Sequence, residues 1–203
     1  DFDFDSGGYS VTDDGIPENP WQWDSGSGTW STGGSENVGQ PSHSRLTSPM
    51  AVITGGGPWE LTFQHRYSFE GDFWDGGAVF LSVNGAEFIQ ILNDAFSVGG
   101  YTGSGLIGNH DLTGDDGYNG DSPGYDNGTF ITSVASLGTF AEGDTVAVQF
   151  LAAWDESVKG QEPNWQITSV TIAQVPEPST LALVAIAGLV VGVFRWRQKS
   201  DRC

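Results

Sequence analysis

Residues 59–70, which read WELTFQHRYSFE, decide the fold. Apolar and polar side chains alternate along the whole stretch, and His65 falls among the apolar ones. A period of two over twelve residues is typical of a β-strand with one face in the core. The sequence therefore predicts a long strand with His65 in the core.

Similar strand patterns occur in both directions from this stretch. Residues 146–154 repeat the alternation, and shorter strand candidates lie at 2–5, 9–12, 76–83, 87–92, 129–134 and 165–173. About eight strands separated by turn residues predict an all-β fold, a jelly-roll-like antiparallel β-sandwich. The intervening residues 99–128 are rich in glycine and aspartate, and we expect them to be too polar for the core and to form long loops over one end.

The charge of the chain excludes one class of partner. Seven Lys and Arg residues stand against 26 Asp and Glu, for a formal net charge of -19. Because nucleic-acid binding depends on cationic side chains that replace counterions, DNA and RNA are ruled out as partners. The acids are concentrated in residues 1–174, which we interpret as one acidic extracytoplasmic domain.

The C-terminal part differs from this domain in composition. Residues 175–180 read VPEPST, and the apolar run LALVAIAGLVVGVF is followed by a basic end. We predict a linker over 175–180, a transmembrane helix over 181–196 and a basic cytoplasmic tail over 197–203. The positive-inside rule places residues 1–174 outside the cytoplasm, as in a single-pass membrane protein.

The predicted helix is short and contains small residues at regular spacing. Its fourteen apolar residues cover roughly 21 Å of a hydrocarbon core roughly 30 Å thick. Gly188 and Gly192 fit the small-x-x-x-small pattern that lets helices pack closely. We expect helix packing through Gly188 and Gly192 in a protein complex; alternatively, these residues only keep a sorting helix weakly hydrophobic.

This C-terminal arrangement resembles a known sorting tail. Pro176-Glu177-Pro178, a short apolar helix and terminal arginines resemble the PEP-CTERM tail, which is handled by an exosortase. The resemblance implies an envelope or surface destination in a Gram-negative-type bacterium. The six residues 198–203 extend beyond the usual Arg-rich end.

The order of short blocks in residues 1–174 carries a second resemblance. FDFDSGGYSV, PWQW, RLTSP, LTFQHRYSFEGDFWDGG and NWQITSVTI follow one another. Together they resemble the β-sandwich domains appended to immune inhibitor A-like secreted peptidases and, more loosely, MAM and galactose-binding-like jelly rolls. The resemblance implies a non-catalytic adhesion or binding module, with structural calcium in many members. The chain lacks the H-E-x-x-H zinc signature of the peptidases.

Acidic side chains at strand ends suggest a cation site. Glu70, Asp72 and Asp75 lie in the segment FEGDFWDGG, and Ca²⁺ prefers carboxylate and carbonyl oxygens. The resemblance implies Glu70 and Asp75 as calcium ligands. Asp155, which ends the predicted strand 146–154, joins them if that strand neighbours the long strand that ends at Glu70. Alternatively, all of these acids are solvated turn residues.

Other candidate sites are weaker. An aspartate cluster could form a second cation site or a solvated loop: Asp111, Asp115, Asp116, Asp121 and Asp126. Gly120-Asp121-Ser122-Pro123-Gly124 matches G-x-S-x-G, but a nucleophile elbow requires a preceding strand and a following helix, which we do not expect here. If residues 70 and 72 share a strand face, the acids at 70, 72 and 75 would resemble those of β-sandwich glycosidases.

Tryptophans could bind ligands through their rings. Trp21, Trp23, Trp30, Trp59 and Trp74 could stack on sugar rings or anchor a protein interface, although most tryptophans in a sandwich of this size belong to the core.

These patterns predict a protein that is not an enzyme. Our main expectation is a membrane-anchored accessory or structural subunit of a larger membrane-protein complex, for example an electron-transfer or photosynthetic assembly. The alternative is an exosortase-sorted adhesion or carbohydrate-binding module whose partner is cell-surface polysaccharide. A β-sandwich glycosidase is a weak third alternative.

Overall fold

The computed structural model describes residues 5–17, 19–34, 40–156 and 158–176. The predicted transmembrane helix, with Gly188 and Gly192, and the predicted tail 197–203 lie outside the described residues, as do residues 177–180 of the linker. The described part of the chain contains no helix long and apolar enough to cross a membrane.

Within these ranges the chain forms β-strands and two single-turn 3-10 helices, at Asn93–Ala95 and Tyr125–Asn127. The strands are β1 (Ser10–Asp13), β2 (Asn19–Asp24), β3 (Thr29–Gly33), β4 (Ser42–Thr47), β5 (Ala51–Val52), β6 (Gly57–Tyr67), β7 (Gly76–Val83), β8 (Ile89–Gln90), β9 (Phe96–Val98), β10 (Ile131–Phe140), β11 (Thr145–Trp154) and β12 (Trp165–Gln174).

The strands form two antiparallel sheets. Sheet I has the order β1-β4-β11-β7-β8, with β5 also paired to β11. Sheet II has the order β2-β3-β12-β6-β10-β9. The predicted all-β antiparallel sandwich is therefore confirmed.

Strand β6 lies between β10 and β12 in sheet II and supplies the alternating pattern that predicted the fold. Leu61, Phe63 and His65 are fully buried on its inner face. The strand ends at Tyr67 rather than at residue 70, because Ser68 N and Phe69 N donate to carbonyls outside sheet II. Glu70 therefore lies beyond the strand and Asp72 in the turn that follows, so the two acids do not share a strand face, as the glycosidase alternative requires.

The other strand predictions differ in accuracy. Residues 76–83 form β7 as predicted, and the segments at 9–12, 146–154 and 165–173 are shifted by no more than one residue at either end. The segment 87–92 contains only the two residues of β8, while β10 continues to Phe140. Residues 2–4 of the first predicted strand lie outside the described residues, and Asp5 is in a bend.

The core between the sheets is aromatic. Phe63 of β6 and Phe150 of β11 meet across the sandwich with ring centroids 5.3 Å apart. Trp165 of β12 is fully buried and lies 5.8 Å from Phe150, edge to face. Such edge-to-face pairs add to the stability gained by burying the rings.

The loop 99–128 contributes to this core. Its length and irregularity are as predicted, but the expectation that it is too polar for the core is wrong. Tyr101, Leu106, Leu112 and Tyr118 are buried, and the Tyr118 and His65 ring centroids lie 4.7 Å apart. Gly77 and Tyr118 exchange two backbone hydrogen bonds, which hold the loop against β7. The few large side chains of the loop therefore reach the core.

Candidate metal centre and the turn beside it

Three carboxylates meet at one end of the sandwich. Glu70 follows β6 of sheet II, Asp75 directly precedes β7 of sheet I, and Asp155 directly follows β11 of sheet I. Strands β7 and β11 are paired with Ala153 opposite Gly76, which brings Asp75 and Asp155 together. One carboxylate oxygen from each of the three lies within 4.8 Å of the others. We call these residues the carboxylate triad.

Two oxygens of the carboxylate triad lack a hydrogen-bond partner. Asp75 is fully buried, and its Oδ1 accepts a hydrogen bond from the backbone N of Asp155 at 2.8 Å. Among the described residues, the buried side-chain atoms without a partner are Asp75 Oδ2 and Asp155 Oδ1. Leaving a buried polar atom unpaired costs about 1–3 kcal/mol. Two such atoms in one cluster require an explanation, such as a bound water or ion.

The electrostatics of the carboxylate triad favour a cation. Burial, followed by the charges of Asp155 and Glu70, raises the pKa of Asp75 to about 8. Burial also raises the pKa of Glu70, with further contributions from Asp155 and Asp72. A positive ion between the carboxylates would favour their ionised forms and remove this repulsion.

The donor set suits a hard cation. Three carboxylates offer only oxygen atoms, which Ca²⁺ prefers as ligands, whereas zinc sites typically contain nitrogen and sulfur donors. The triad is the set of residues predicted from the sequence. Strand β11, which precedes Asp155, pairs with β7 and not with β6, which lies in the other sheet, so a different strand neighbour from the predicted one brings Asp155 to the triad.

The segment between Glu70 and Asp75 forms a tight turn. Asp72 and Phe73 have φ values of 56° and 69°, which are uncommon for residues other than glycine. Asn119 stabilises this turn: its Nδ2 donates to Glu70 O at 2.6 Å and to Asp75 O at 2.8 Å. Its Oδ1 accepts from Phe73 N at 3.3 Å. The two ends of the turn are thus tied to one side chain.

The tip of the turn is supported by the loop 99–128. Ile107 N donates to Phe73 O at 2.8 Å, and His110 Nε2 donates to Trp74 O at 2.6 Å. The other ring nitrogen of His110 accepts from Leu112 N. This pattern requires a neutral ring, in agreement with the burial that lowers the pKa of His110. At Gly108 any side chain would collide with Trp74 O.

The turn exposes two aromatic rings. Of the five tryptophans considered above, Trp21, Trp30 and Trp59 are buried and Trp23 is partly buried, whereas Trp74 is 41% exposed. Phe73 beside it is 42% exposed. The sequence did not distinguish Trp74 from the core tryptophans and did not indicate Asn119.

The predicted aspartate cluster does not assemble. Asp111 pairs with Arg45, Asp121 accepts a hydrogen bond from Ser68 Oγ, and Asp126 accepts one from Gln161. In the part of the chain that the structure describes, the group of three or more metal-ligating side chains is the carboxylate triad alone.

Ser122 of the G-x-S-x-G sequence and His65 both lie in the interior. Ser122 is buried, and its Oγ accepts a hydrogen bond from Tyr67 N, so the hydroxyl serves the backbone. His65 is a fully buried core residue, as predicted.

A groove crosses the outer face of sheet I. It has a volume of about 530 Å³, and its walls include Arg45, Phe80, Phe88 and Gln149. Arg45 is held there by its ion pair with Asp111. The groove is within the size range of small-molecule sites.

Comparison with known families identifies the C-terminal segment. Residues 174–199 match the PEP-CTERM protein-sorting motif, which confirms the predicted sorting tail. The match covers 26 residues and does not extend into the sandwich. Comparison with curated proteins gave no match.

Solved structures similar to this chain include carbohydrate-binding modules. TmCBM61, solved in complex with β-1,4-galactotriose, has a TM-score of 0.39 and 8% identity, with 83% of this chain and 89% of that chain covered. A family 35 carbohydrate-binding module from Clostridium thermocellum has a TM-score of 0.36 and 14% identity, with 81% and 98% covered. The family 35 module of Cellvibrio japonicus Abf62 has a TM-score of 0.32 and 14% identity, with 83% and 98% covered. These scores are too low to identify a ligand for this chain.

Proposed function

We propose that the chain is a non-catalytic surface module that its PEP-CTERM tail sorts to the cell envelope, and that one Ca²⁺ bound by the carboxylate triad stabilises its sandwich. The observation that carries the cation site is the pair of buried, unpartnered oxygens of Asp75 and Asp155 within a cluster of three acids; the sorting motif at residues 174–199 supports the surface destination. The cation would join Glu70, next to sheet II, to Asp75 and Asp155 of sheet I.

This proposal follows the alternative expectation from the sequence, a sorted surface module, rather than the accessory subunit of a membrane complex. The sorting motif and the sandwich fold agree with that alternative. Polysaccharide binding is the second candidate function, and it is favoured by the exposed Phe73 and Trp74 beside the carboxylate triad.

The cation is tested by thermal unfolding of the full chain in detergent, in 10 mM Ca²⁺ and in chelator at equal ionic strength. Extracellular Ca²⁺ sites bind at roughly 10⁻⁴–10⁻³ M, so 10 mM corresponds to a stabilisation of about 1.4–2.7 kcal/mol. For a domain of this size we expect the midpoint to rise by about 3–10 °C.

Two variants separate specific binding from a general effect of charge. Asp75→Asn keeps an oxygen for the hydrogen bond from Asp155 N but removes the buried charge, and it should abolish the rise. Asp72→Asn makes the same change in the same turn outside the carboxylate triad and should retain the rise. An equal response of both variants, or no response of the unmodified chain, would refute the cation site.

A further inference from the structure

We infer that Phe73, Trp74 and Ile107 form a stacking surface for a neutral polysaccharide, and that the cation of the carboxylate triad holds this surface in its binding conformation. The inference rests on the proposed function for its dependence on Ca²⁺. We call the three side chains the aromatic platform.

The aromatic platform is an exposed apolar patch. Phe73, Trp74 and Ile107 are 42%, 41% and 54% exposed. Their backbones are adjacent, because Trp74 follows Phe73 in the turn and Ile107 N donates to Phe73 O. Two aromatic rings left in solvent on a hydrogen-bonded turn offer a surface on which a ligand can stack.

The backbone beneath the aromatic platform is fixed from both sides. The hydrogen bonds from Ile107 and His110 occupy the carbonyls of Phe73 and Trp74, and Asn119 binds Phe73 N. Phe73 adopts a left-handed conformation, which a bulky residue keeps only when its surroundings impose it. Ligand binding therefore meets a preformed surface and loses little conformational entropy.

The size of the aromatic platform argues against a protein partner. An aromatic side chain offers about 150–250 Å², so the exposed fractions of Phe73 and Trp74 correspond to roughly 120–210 Å², to which the smaller Ile107 adds its exposed part. A stable protein interface requires about 800 Å² from each partner. The patch instead matches one or two sugar rings, whose C–H faces pack against aromatic rings.

The charge around the aromatic platform selects neutral ligands. Asp72 lies beside it in the turn, and the chain carries a net charge of -19. Anionic polysaccharides are repelled by this field, whereas the hydroxyls of a neutral glycan can donate hydrogen bonds to carboxylates. The occupant to which these observations point is a neutral polysaccharide.

The carboxylate triad brackets the turn that displays the two rings. Glu70 begins the turn and Asp75 ends it, so a cation bound to both closes the segment at its base. Without the cation, this link between the side chains of Glu70 and Asp75 is absent. Removal of Ca²⁺ should therefore loosen the surface as well as lower the stability of the sandwich.

The inference is tested by affinity electrophoresis of the full chain in detergent through gels containing hydroxyethylcellulose or β-1,4-galactan, with carboxymethylcellulose as the anionic comparison and free Ca²⁺ held equal in all gels. We expect at least one neutral polymer to retard the protein in Ca²⁺ and carboxymethylcellulose to have no effect. Trp74→Ala should weaken binding at least tenfold, Trp74→Phe should restore most of it, and chelator should weaken it at least fivefold.

Two controls locate the binding surface. Ile89→Ala removes a side chain that is 66% exposed elsewhere on the sandwich, and Phe88→Ala alters the groove on sheet I. Both variants should bind like the unmodified chain. Loss of binding in Phe88→Ala but not in Trp74→Ala would overturn the aromatic platform in favour of the groove.

The remaining outcomes separate this inference from the proposed function. If Ca²⁺ raises the unfolding midpoint but neither neutral polymer retards the protein, the aromatic platform is wrong and the cation site stands. If binding depends on Trp74 but chelator changes neither binding nor midpoint, both the cation site and its control of the surface are wrong.

Discussion

His65 is a histidine whose two ring nitrogens are both occupied inside the core. Its Nδ1 accepts a hydrogen bond from Trp165 Nε1 at 3.0 Å, so the proton resides on Nε2, which donates to Ser133 Oγ at 2.8 Å. Ser133 in turn donates to Gly99 O. The ring therefore connects β6, β10, β12 and the start of the loop 99–128 while it remains neutral.

This neutral histidine makes stability depend on pH. Burial lowers the pKa of His65 to about 3, whereas an unfolded histidine titrates near 6.5. Between these values only the unfolded chain binds the proton, so the free energy of unfolding falls as the pH falls below about 6.5. From pH 7 to pH 5 the loss due to His65 is about 2 kcal/mol. Urea titrations at pH 7 and pH 5 in saturating Ca²⁺ measure this loss of stability.

His65→Gln isolates this contribution. The amide retains one acceptor and one donor for Trp165 and Ser133 but does not titrate. The variant is expected to be less stable at pH 7 and to lose about 2 kcal/mol less than the unmodified chain on going to pH 5. If both proteins lose the same free energy of unfolding between pH 7 and pH 5, the attribution of this loss to His65 is wrong.

Individual residues differ in how far the sequence indicates their roles. Glu70 and Asp75 could be predicted because acids beside a Gly-rich turn at a strand end are a local pattern. The position of Asn119 could not be predicted, since it depends on how a long loop lies against a turn almost 50 residues earlier in the chain. The sequence around Trp74 does not distinguish it from the buried tryptophans, and its position in the turn is what exposes it.

At the scale of strands, β6 and β4 show what hydrophobic alternation can reveal. β6 was predictable because large apolar side chains occupy its buried face. β4 has the same alternation of burial, but Ser42 and Ser44 fill two of its buried positions. Ser44 is buried because its Oγ accepts a hydrogen bond from Trp21 N and its carbonyl accepts one from Trp21 Nε1. Alternation of hydrophobicity cannot detect such a strand.

The packing of β7 against the core requires a glycine at position 77. A Cβ atom at Gly77 would lie 2.5 Å from Trp165 Cζ3 and 3.0 Å from Phe69 Cζ. Trp165 is fully buried and has no room to move away. Gly77→Ala should therefore lower the free energy of unfolding by about 1–3 kcal/mol, as overpacking does in other cores. Urea unfolding of the full chain in Ca²⁺ measures the change.

Gly71→Ala is the matched control for this substitution. A Cβ at Gly71 would meet no atom within 4 Å. The free energy of unfolding of the Gly71→Ala variant should match that of the unmodified chain within about 0.5 kcal/mol or exceed it slightly, because alanine restricts the unfolded chain. A Gly77→Ala variant as stable as Gly71→Ala would show that the contact with Trp165 does not limit packing.

Across the whole molecule, the loop 99–128 and the carboxylate triad connect parts of the chain that are distant in sequence. The sandwich could be predicted from the number and spacing of strands. The core role of the loop could not, because its buried residues are isolated among glycines and polar residues and follow no period. Asp155 was predictable only on a condition about strand neighbours, and the strand that brings it to the triad is β7 rather than β6.

The acidity of the sandwich predicts a general dependence on salt that is separate from the cation site. The sequence up to residue 174 contains only Arg45, Arg66 and Lys159 as cationic side chains, against 24 acids. Such an excess of one sign destabilises the compact state by self-repulsion. Raising KCl from 0.1 to 1 M shortens the screening length from about 10 Å to about 3 Å. In chelator, the unfolding midpoint of the full chain should therefore rise by a few degrees, about 1 kcal/mol in stability.

The same KCl series in Asp75→Asn distinguishes screening from occupation of the carboxylate triad. Screening acts on all surface carboxylates, so this variant should respond to KCl about as strongly as the unmodified chain, although it no longer responds to Ca²⁺. In saturating Ca²⁺ the unmodified chain should also retain most of its response to KCl, because one bound ion neutralises only two of the many negative charges. A midpoint in chelator that falls or stays constant as KCl is raised would mean that surface repulsion does not limit the stability of this fold.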